Sequence, residues 1–171
     1  MAKKANEQTE NYNEEANDSG LSDLDFNVED EYKPEPLIPK GTYHAVVTNV
    51  SFNAAQACIV WDLCLHDNGG FMNDDSTPID GAHVWHRNWL PRPGDEDLIT
   101  KSGKNKRQNK INMLRDFSDE LSLDMTTPEV IANAIAEAEW VGVEVDADVD
   151  INEYQGKFNN QVNRLRKSKM F

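Results

Sequence analysis

The sequence predicts a β-rich α+β protein: a five-stranded Greek-key barrel with a two-helix insertion between strands three and four, behind an acidic, largely disordered tail. Three observations carry this. Between residues 41 and 92, apolar and polar residues alternate in three blocks separated by turn-forming residues. From residue 105 the apolar spacing changes to three and four, and near residue 139 alternation returns around a Gly-containing tip. Period two is the spacing of a strand and 3.6 that of a helix. The order is therefore three strands, two helices, two strands. No crossover helix separates the first three strands, which argues against a parallel α/β sheet.

Charge divides the 171-residue chain in two. The net charge is −14, but residues 1–36 hold eleven acidic side chains against Lys3, Lys4 and Lys33, leaving −6 on the remaining 135 residues. Residues 1–36 show no hydrophobic period and are rich in Asn, Glu, Asp and Ser, so they form the tail, and residues 37–171 form the domain. Within the tail, Leu21-Ser22-Asp23-Leu24-Asp25-Phe26 is the one acidic-apolar stretch, readable as a docking motif or as a strip that packs on the domain. Lys33-Pro34-Glu35-Pro36 is a stiff extended linker.

The β-branched run at residues 42–52 is strand one, and Asn53-Ala54-Ala55 a turn. Strand two spans residues 56–66. Its better core face carries Ile59, Trp61, Leu63 and Leu65, so Trp61 is read as structural. Cys58 and Cys64 lie six residues apart on that strand, about 20 Å, too far for a disulfide. Residues 67–81 are a long turn-rich loop holding Asp74, Asp75 and Asp80. Strand three, residues 82–92, places His83, Trp85, Arg87 and Trp89 on one face and Val84, His86, Asn88 and Leu90 on the other. Ile111, Leu114, Phe117 and Leu121 form the stripe of the first helix. The second starts with Thr127 as N-cap, Pro128 at the first helical position and Glu129 in the first turn; Val130, Ile131, Ala134, Ile135 and Ala138 face inward. Strand four is expected over residues 139–149, with Val141 inward and Trp140 outward. A hairpin tip at Tyr154-Gln155-Gly156-Lys157 leads to strand five at 158–165, with Phe158 assigned to the core, and to a basic tail.

This order is that of an OB-fold, which binds single strands across strands two and three and the flanking loops. The chemistry fits a polyanion. Lys101, Lys104, Lys106, Arg107, Lys110 and Arg115 fall in a stretch with no acid, as do Lys157, Arg164, Arg166, Lys167 and Lys169. Two indoles flanking a guanidinium can stack bases with a cation between them. On an isolated strand the same pattern also suits a core, and its place in strand three favours contact. The nucleic-acid-binding residues expected are Trp85, Arg87, Trp89, Tyr154, Lys157, Arg164, Arg166, Lys101, Lys104, Lys106, Arg107 and Lys110. The four His residues lie on three strands, with no His-Glu-x-x-His pattern and no phosphate-binding Gly loop, so no catalytic residue, cofactor or metal is expected. The start of the chain has no apolar leader core, and no apolar run reaches membrane-spanning length, so a cytoplasmic protein without membrane contact is expected.

Over residues 38–166 the chain resembles the phage-encoded OB-fold single-stranded DNA-binding proteins. The likeness rests on Pro39-Lys40-Gly41-Thr42-Tyr43, the strand with Trp61, Val84-Trp85-His86-Arg87-Asn88-Trp89-Leu90, the helical insertion with Leu114 and Phe117, and Gly156-Lys157-Phe158-Asn159-Asn160. It implies a protein that coats single-stranded DNA in replication, recombination or repair in the host cytoplasm. Partners would be single-stranded DNA and replication or recombination proteins met through the acidic tail, with self-association left open. The chain departs from the pattern in ending on basic residues before Phe171; its acidic tract is at the other end. The alternative is an adaptor, or a DNA-mimic inhibitor using its acidic surface.

Overall fold

A computed structural model describes residues 20–169. The chain divides into two units, Met1–Glu35 and Pro36–Phe171. Residues 1–19 of the acidic tail lie outside the described residues. The rest of the first unit holds one helical turn, α1 (Val28–Glu31). Asn27 caps it by accepting from the amides of Glu29 and Asp30, and Glu31 accepts from the Asn27 amide. Leu21, Leu24, Phe26 and Val28 are exposed.

The second unit is one five-stranded antiparallel sheet in the order β3-β2-β1-β4-β5, where β1 is Gly41–Asn53, β2 Cys58–His66, β3 His83–Trp89, β4 Glu144–Tyr154 and β5 Lys157–Lys167. Helices α2 (Lys106–Leu121) and α3 (Pro128–Ala136) lie between β3 and β4 in sequence. β1 is long enough to pair with β2 from His44 to Asn53 and with β4 from Gly41 to Val46. A bulge between Val47 and Asn49 keeps Ala45, Val47 and Val50 facing the core. The outer strands β3 and β5 share no hydrogen-bonded ladder but lie against each other, with the His86 ring 3.4 Å from the Val162 carbonyl.

The core forms where the expected face of β2 (Ile59, Trp61, Leu63, Leu65) meets Val84, Val145, Ala147, Val149, Val162 and Leu165, closed by Leu121, Ile131 and Ala134 from the helices. Trp61 is fully buried, with its indole N–H donating to the Asn88 side-chain oxygen and its ring stacked on Trp140 at 5.3 Å and 18°. Chain entry into β1 is pinned by two asparagines. Asn73 exchanges hydrogen bonds with the Leu37 backbone, and Asn160 bonds both the amide and the carbonyl of Ile38.

Thr127 caps its helix as expected, accepting from Val130, and Asn105 caps the first by accepting from Gln108. Three expectations are corrected. Residues 139–143 are turns rather than the start of strand four, because the chain reverses at Ala138 (φ 52°) and Gly142 (φ 92°). That reversal buries Trp140 against Trp61 and turns Val141 outward. Ala138 follows the end of α3 and is no part of its stripe. Phe158 is 55% exposed, not core: β4 and β5 run past the end of the β1 pairing at Gly41, so residues 150–161 project as a two-stranded arm.

Candidate nucleic-acid interface

Strand β3 alternates as its sequence dictates. Val84 and Asn88 are buried; His83, Trp85, Arg87 and Trp89 are exposed. The ladder with β2 runs without a slip from Cys58 opposite Trp89 to Cys64 opposite His83, so no bulge exchanges the two faces. Trp85 is 53% and Trp89 47% exposed. Four residues of strand separate them by about 13 Å, with Arg87 about 6.6 Å from each. That is too far for the indoles to share one base, so they form two platforms with a cation between them. Arg87 lies opposite Val60 and has no ion-pair partner among the described residues. Beside Trp85, Asp62 holds His83 at 2.7 Å.

The inner face of β3 supports this outer one. Asn88 is held by Trp61, and His86 lies flat on Phe117 of α2 at 5.5 Å and 11°. Burial pushes the His86 imidazole below its ordinary pKa, against the weaker upward pull of its bond to the Val162 carbonyl.

The cationic residues separate into four settings. Arg87, Trp89 and Arg164 line one cleft between β3, β5 and α2, with a volume of about 660 Å³. Lys101 and Lys104 flank the tip of a tight turn closed by the bridge between Ile99 and Asn105, and like Arg107 they are exposed. Lys106, Lys110 and Arg166 are committed. Lys110 is drawn inward, 2.7 Å from Asp95 and 3.2 Å from the Leu90 carbonyl, and Lys106 stands 3.7 Å from the same Asp95. Hydrogen bonds from Lys110 and the Arg92 amide hold the Asp95 carboxyl down at about 2. Arg166 donates to Asp148 at 2.6 Å. Burial alone would raise Asp148, but the bonds from Thr42 and Arg166 outweigh it and hold the carboxyl low. Tyr154, 68% exposed, and Lys157 face each other across the arm's tip, away from the cleft lining. There Gln155 (φ 51°) and Gly156 (φ 76°) make a two-residue turn.

Compared with protein-family models and with curated proteins, the sequence matches none.

Sequence reasoning missed the far wall of the cleft, formed by Met113, Asp116 and Glu120 of α2 with Asn163 of β5. Periodicity shows which side of α2 is apolar but not which strand edge the helix lies along. A second groove, about 1410 Å³ and more apolar, runs between α2 and α3 past Phe52, Ile111 and Ile135. The loop aspartates serve as turn caps. Asp74 accepts from Ser76 and Thr77, bonds that hold it at about 2, and Asp80 accepts from the Asp67 amide. Among the described residues no three His, Cys, Asp or Glu side chains converge on a metal position, and no helix is long and apolar enough to cross a membrane.

Proposed function

We propose that this chain is a non-catalytic, sequence-tolerant single-stranded DNA-binding protein with an OB-type domain, coating single strands in replication, recombination or repair as the phage proteins it resembles do. The observation that carries the reading is the Trp85-x-Arg87-x-Trp89 face: two half-exposed indoles and a guanidinium with no ion-pair partner among the described residues, on one side of an unslipped strand. Bases stack on the indoles and the intervening phosphate meets Arg87. The strand order supports the OB reading, since β1 pairs with both β2 and β4, the helices fall between β3 and β4, and β3 lies against β5. Arg164, Lys101, Lys104 and Arg107 remain as phosphate contacts; Lys106, Lys110 and Arg166 serve mainly the domain's own carboxylates. Tyr154 and Lys157 on the arm reach nucleotides beyond the sheet.

A second reading, an adaptor or DNA mimic, draws on Glu144, Asp146, Asp148 and Asp150 along β4. Two of those carboxylates are matched locally, Asp148 by Arg166 and Asp150 by Lys40, which weakens it as a free anionic ladder.

The test is titration of tryptophan fluorescence with poly(dT) at low and high salt. Trp61 and Trp140 are buried and give a steady background, so quenching reports Trp85 and Trp89. Strong quenching at low salt, reversed by salt, is expected. No quenching at low salt would overturn the reading in favour of the adaptor.

A further inference from the structure

The cleft between β3, β5 and α2 has two walls of opposite charge. Arg87 and Arg164 stand on the strand side, Asp116 and Glu120 on the helix side. The two carboxylates are four residues apart on α2 and so share one face. Among the described residues no ion pair joins the two walls: Arg115 pairs with Asp119, Lys110 of the helix side is taken by Asp95, and Arg164 faces Asp148, whose direct bond is to Arg166. Trp89 adds an aromatic surface beside the arginines, and the stacked His86 and Phe117 rings lie at the base of the cleft. At about 660 Å³ the space falls within the roughly 300–1,000 Å³ of small-molecule sites, room enough for one nucleotide unit.

Anions are excluded from the helix wall and welcomed at the strand wall, so a ligand matching both must carry a phosphate at one end and hydrogen-bond donors at the other. A carboxylate only accepts. The exocyclic amines of cytosine, adenine and guanine donate; thymine turns two carbonyl oxygens toward the same space, with one N–H between them. Asp116 and Glu120 are exposed, so the preference comes from what each base gains there: an amine donates a charge-assisted hydrogen bond to a carboxylate, whereas a thymine carbonyl set against it gains none.

Building on the single-stranded DNA reading, we propose that this cleft is a base-reading slot that takes one nucleotide of the bound strand and favours amine-bearing bases over thymine. The phosphate lies at Arg87 and Arg164, the base beside Trp89, and the amine at Asp116 and Glu120. Binding elsewhere on the face stays indifferent to sequence, so the protein coats any strand but settles in a preferred frame.

The experiment compares dC and dT oligonucleotides of equal length by tryptophan quenching, with the full chain and with the variant D116N/E120Q. Both sites lie on the exposed side of α2, so folding is retained, checked by circular dichroism. The full chain should bind dC about tenfold more tightly than dT. In the variant, whose amides both donate and accept, that ratio should fall toward one, chiefly through tighter dT binding. A purely electrostatic effect of the carboxylates would strengthen dC and dT equally and leave the ratio unchanged, which overturns the proposal, as does equal affinity in the full chain. Absence of quenching by either oligonucleotide overturns the single-strand reading itself and the slot with it.

Discussion

Replacing Trp85 and Trp89 by Ala, singly and together, is the sharpest perturbation of the proposed interface. Each stacked base contributes about 1–3 kcal/mol by such substitutions, so each single change should weaken binding roughly 5- to 150-fold. The platforms stand about 13 Å apart on the strand, beyond the ~7–10 Å within which substitutions usually couple. Their effects should therefore add, to about 2–6 kcal/mol in the double variant. Stability should change little, since both side chains are about half exposed and absent from the buried cluster. Arg87→Ala should act differently, weakening binding while lowering the salt slope by about 0.7 for one lost phosphate contact. The assay is fluorescence anisotropy of a labelled oligonucleotide across a salt series, with thermal unfolding as the control. A W85A/W89A chain that folds normally and binds within twofold of the parent would refute the stacking argument. A double variant that also loses several degrees of melting temperature would show the indoles to be structural.

Other outcomes follow from the supporting layer and the tail. Asn88→Ala removes the acceptor of the buried Trp61 indole N–H, so it should cost about 1–3 kcal/mol, read by urea unfolding, and should weaken DNA binding only through stability. His86 has its pKa lowered by burial, so its neutral form supports the fold fully above the unfolded value near 6.5, and that support is lost as pH falls below it. His86→Phe, which keeps a flat ring over Phe117, should reduce the decline in stability between pH 7 and 5; an unchanged decline would assign it to other groups. Asn160→Ala frees both backbone groups of Ile38 and should destabilise by about 1–3 kcal/mol, seen as earlier amide exchange at the start of β1. Deleting residues 1–36 removes eleven acidic side chains and should tighten DNA binding most at low salt; unchanged affinity and salt slope would exclude the tail as a competitor for DNA.

What the sequence made legible was everything that depends on local period. The faces of β2 and β3, the Thr127 cap and the tip at Gln155 and Gly156 all follow from alternation, Thr capping and positive-φ residues. What escaped it depends on contacts between distant segments. Trp140 sits in a run that alternates like a strand, yet the attraction of Trp61, 79 positions earlier, outweighs that pattern and turns the segment inward. Phe158 has the composition of a core residue, but its surroundings depend on where β1 stops pairing with β4. The basic run around α2 reads as one patch in sequence, although Asp95 draws Lys110 and Lys106 out of it. Half of the cleft was legible through Arg87, Trp89 and Arg164; the carboxylate wall required knowing that α2 lies along the edges of β3 and β5.

An acidic chain can hold a polyanion only if its negative charge is matched or placed elsewhere, and several carboxylates of the sheet have such an arrangement. Along β4, Asp148 is bound by Arg166 at 2.6 Å, Asp150 stands 3.8 Å from Lys40, and His44 lies between Glu144 and Asp146. On β2, Asp62 is occupied by His83. At the Debye length of about 8 Å at physiological ionic strength, the Asp148–Arg166 and Asp150–Lys40 pairs contribute little field at β3, where Arg87, between two indoles, has no ion-pair partner among the described residues. Much of the remaining charge belongs to the tail. The net charge of −14 thus describes the chain and not the face, and the field a nucleic acid meets is set by which cations are left without a carboxylate of their own. On that criterion Arg87, Lys101, Lys104 and Arg107 should dominate the salt dependence, Arg164, which faces Asp148 across the ladder, should add less, and Lys106, Lys110 and Arg166 should contribute little.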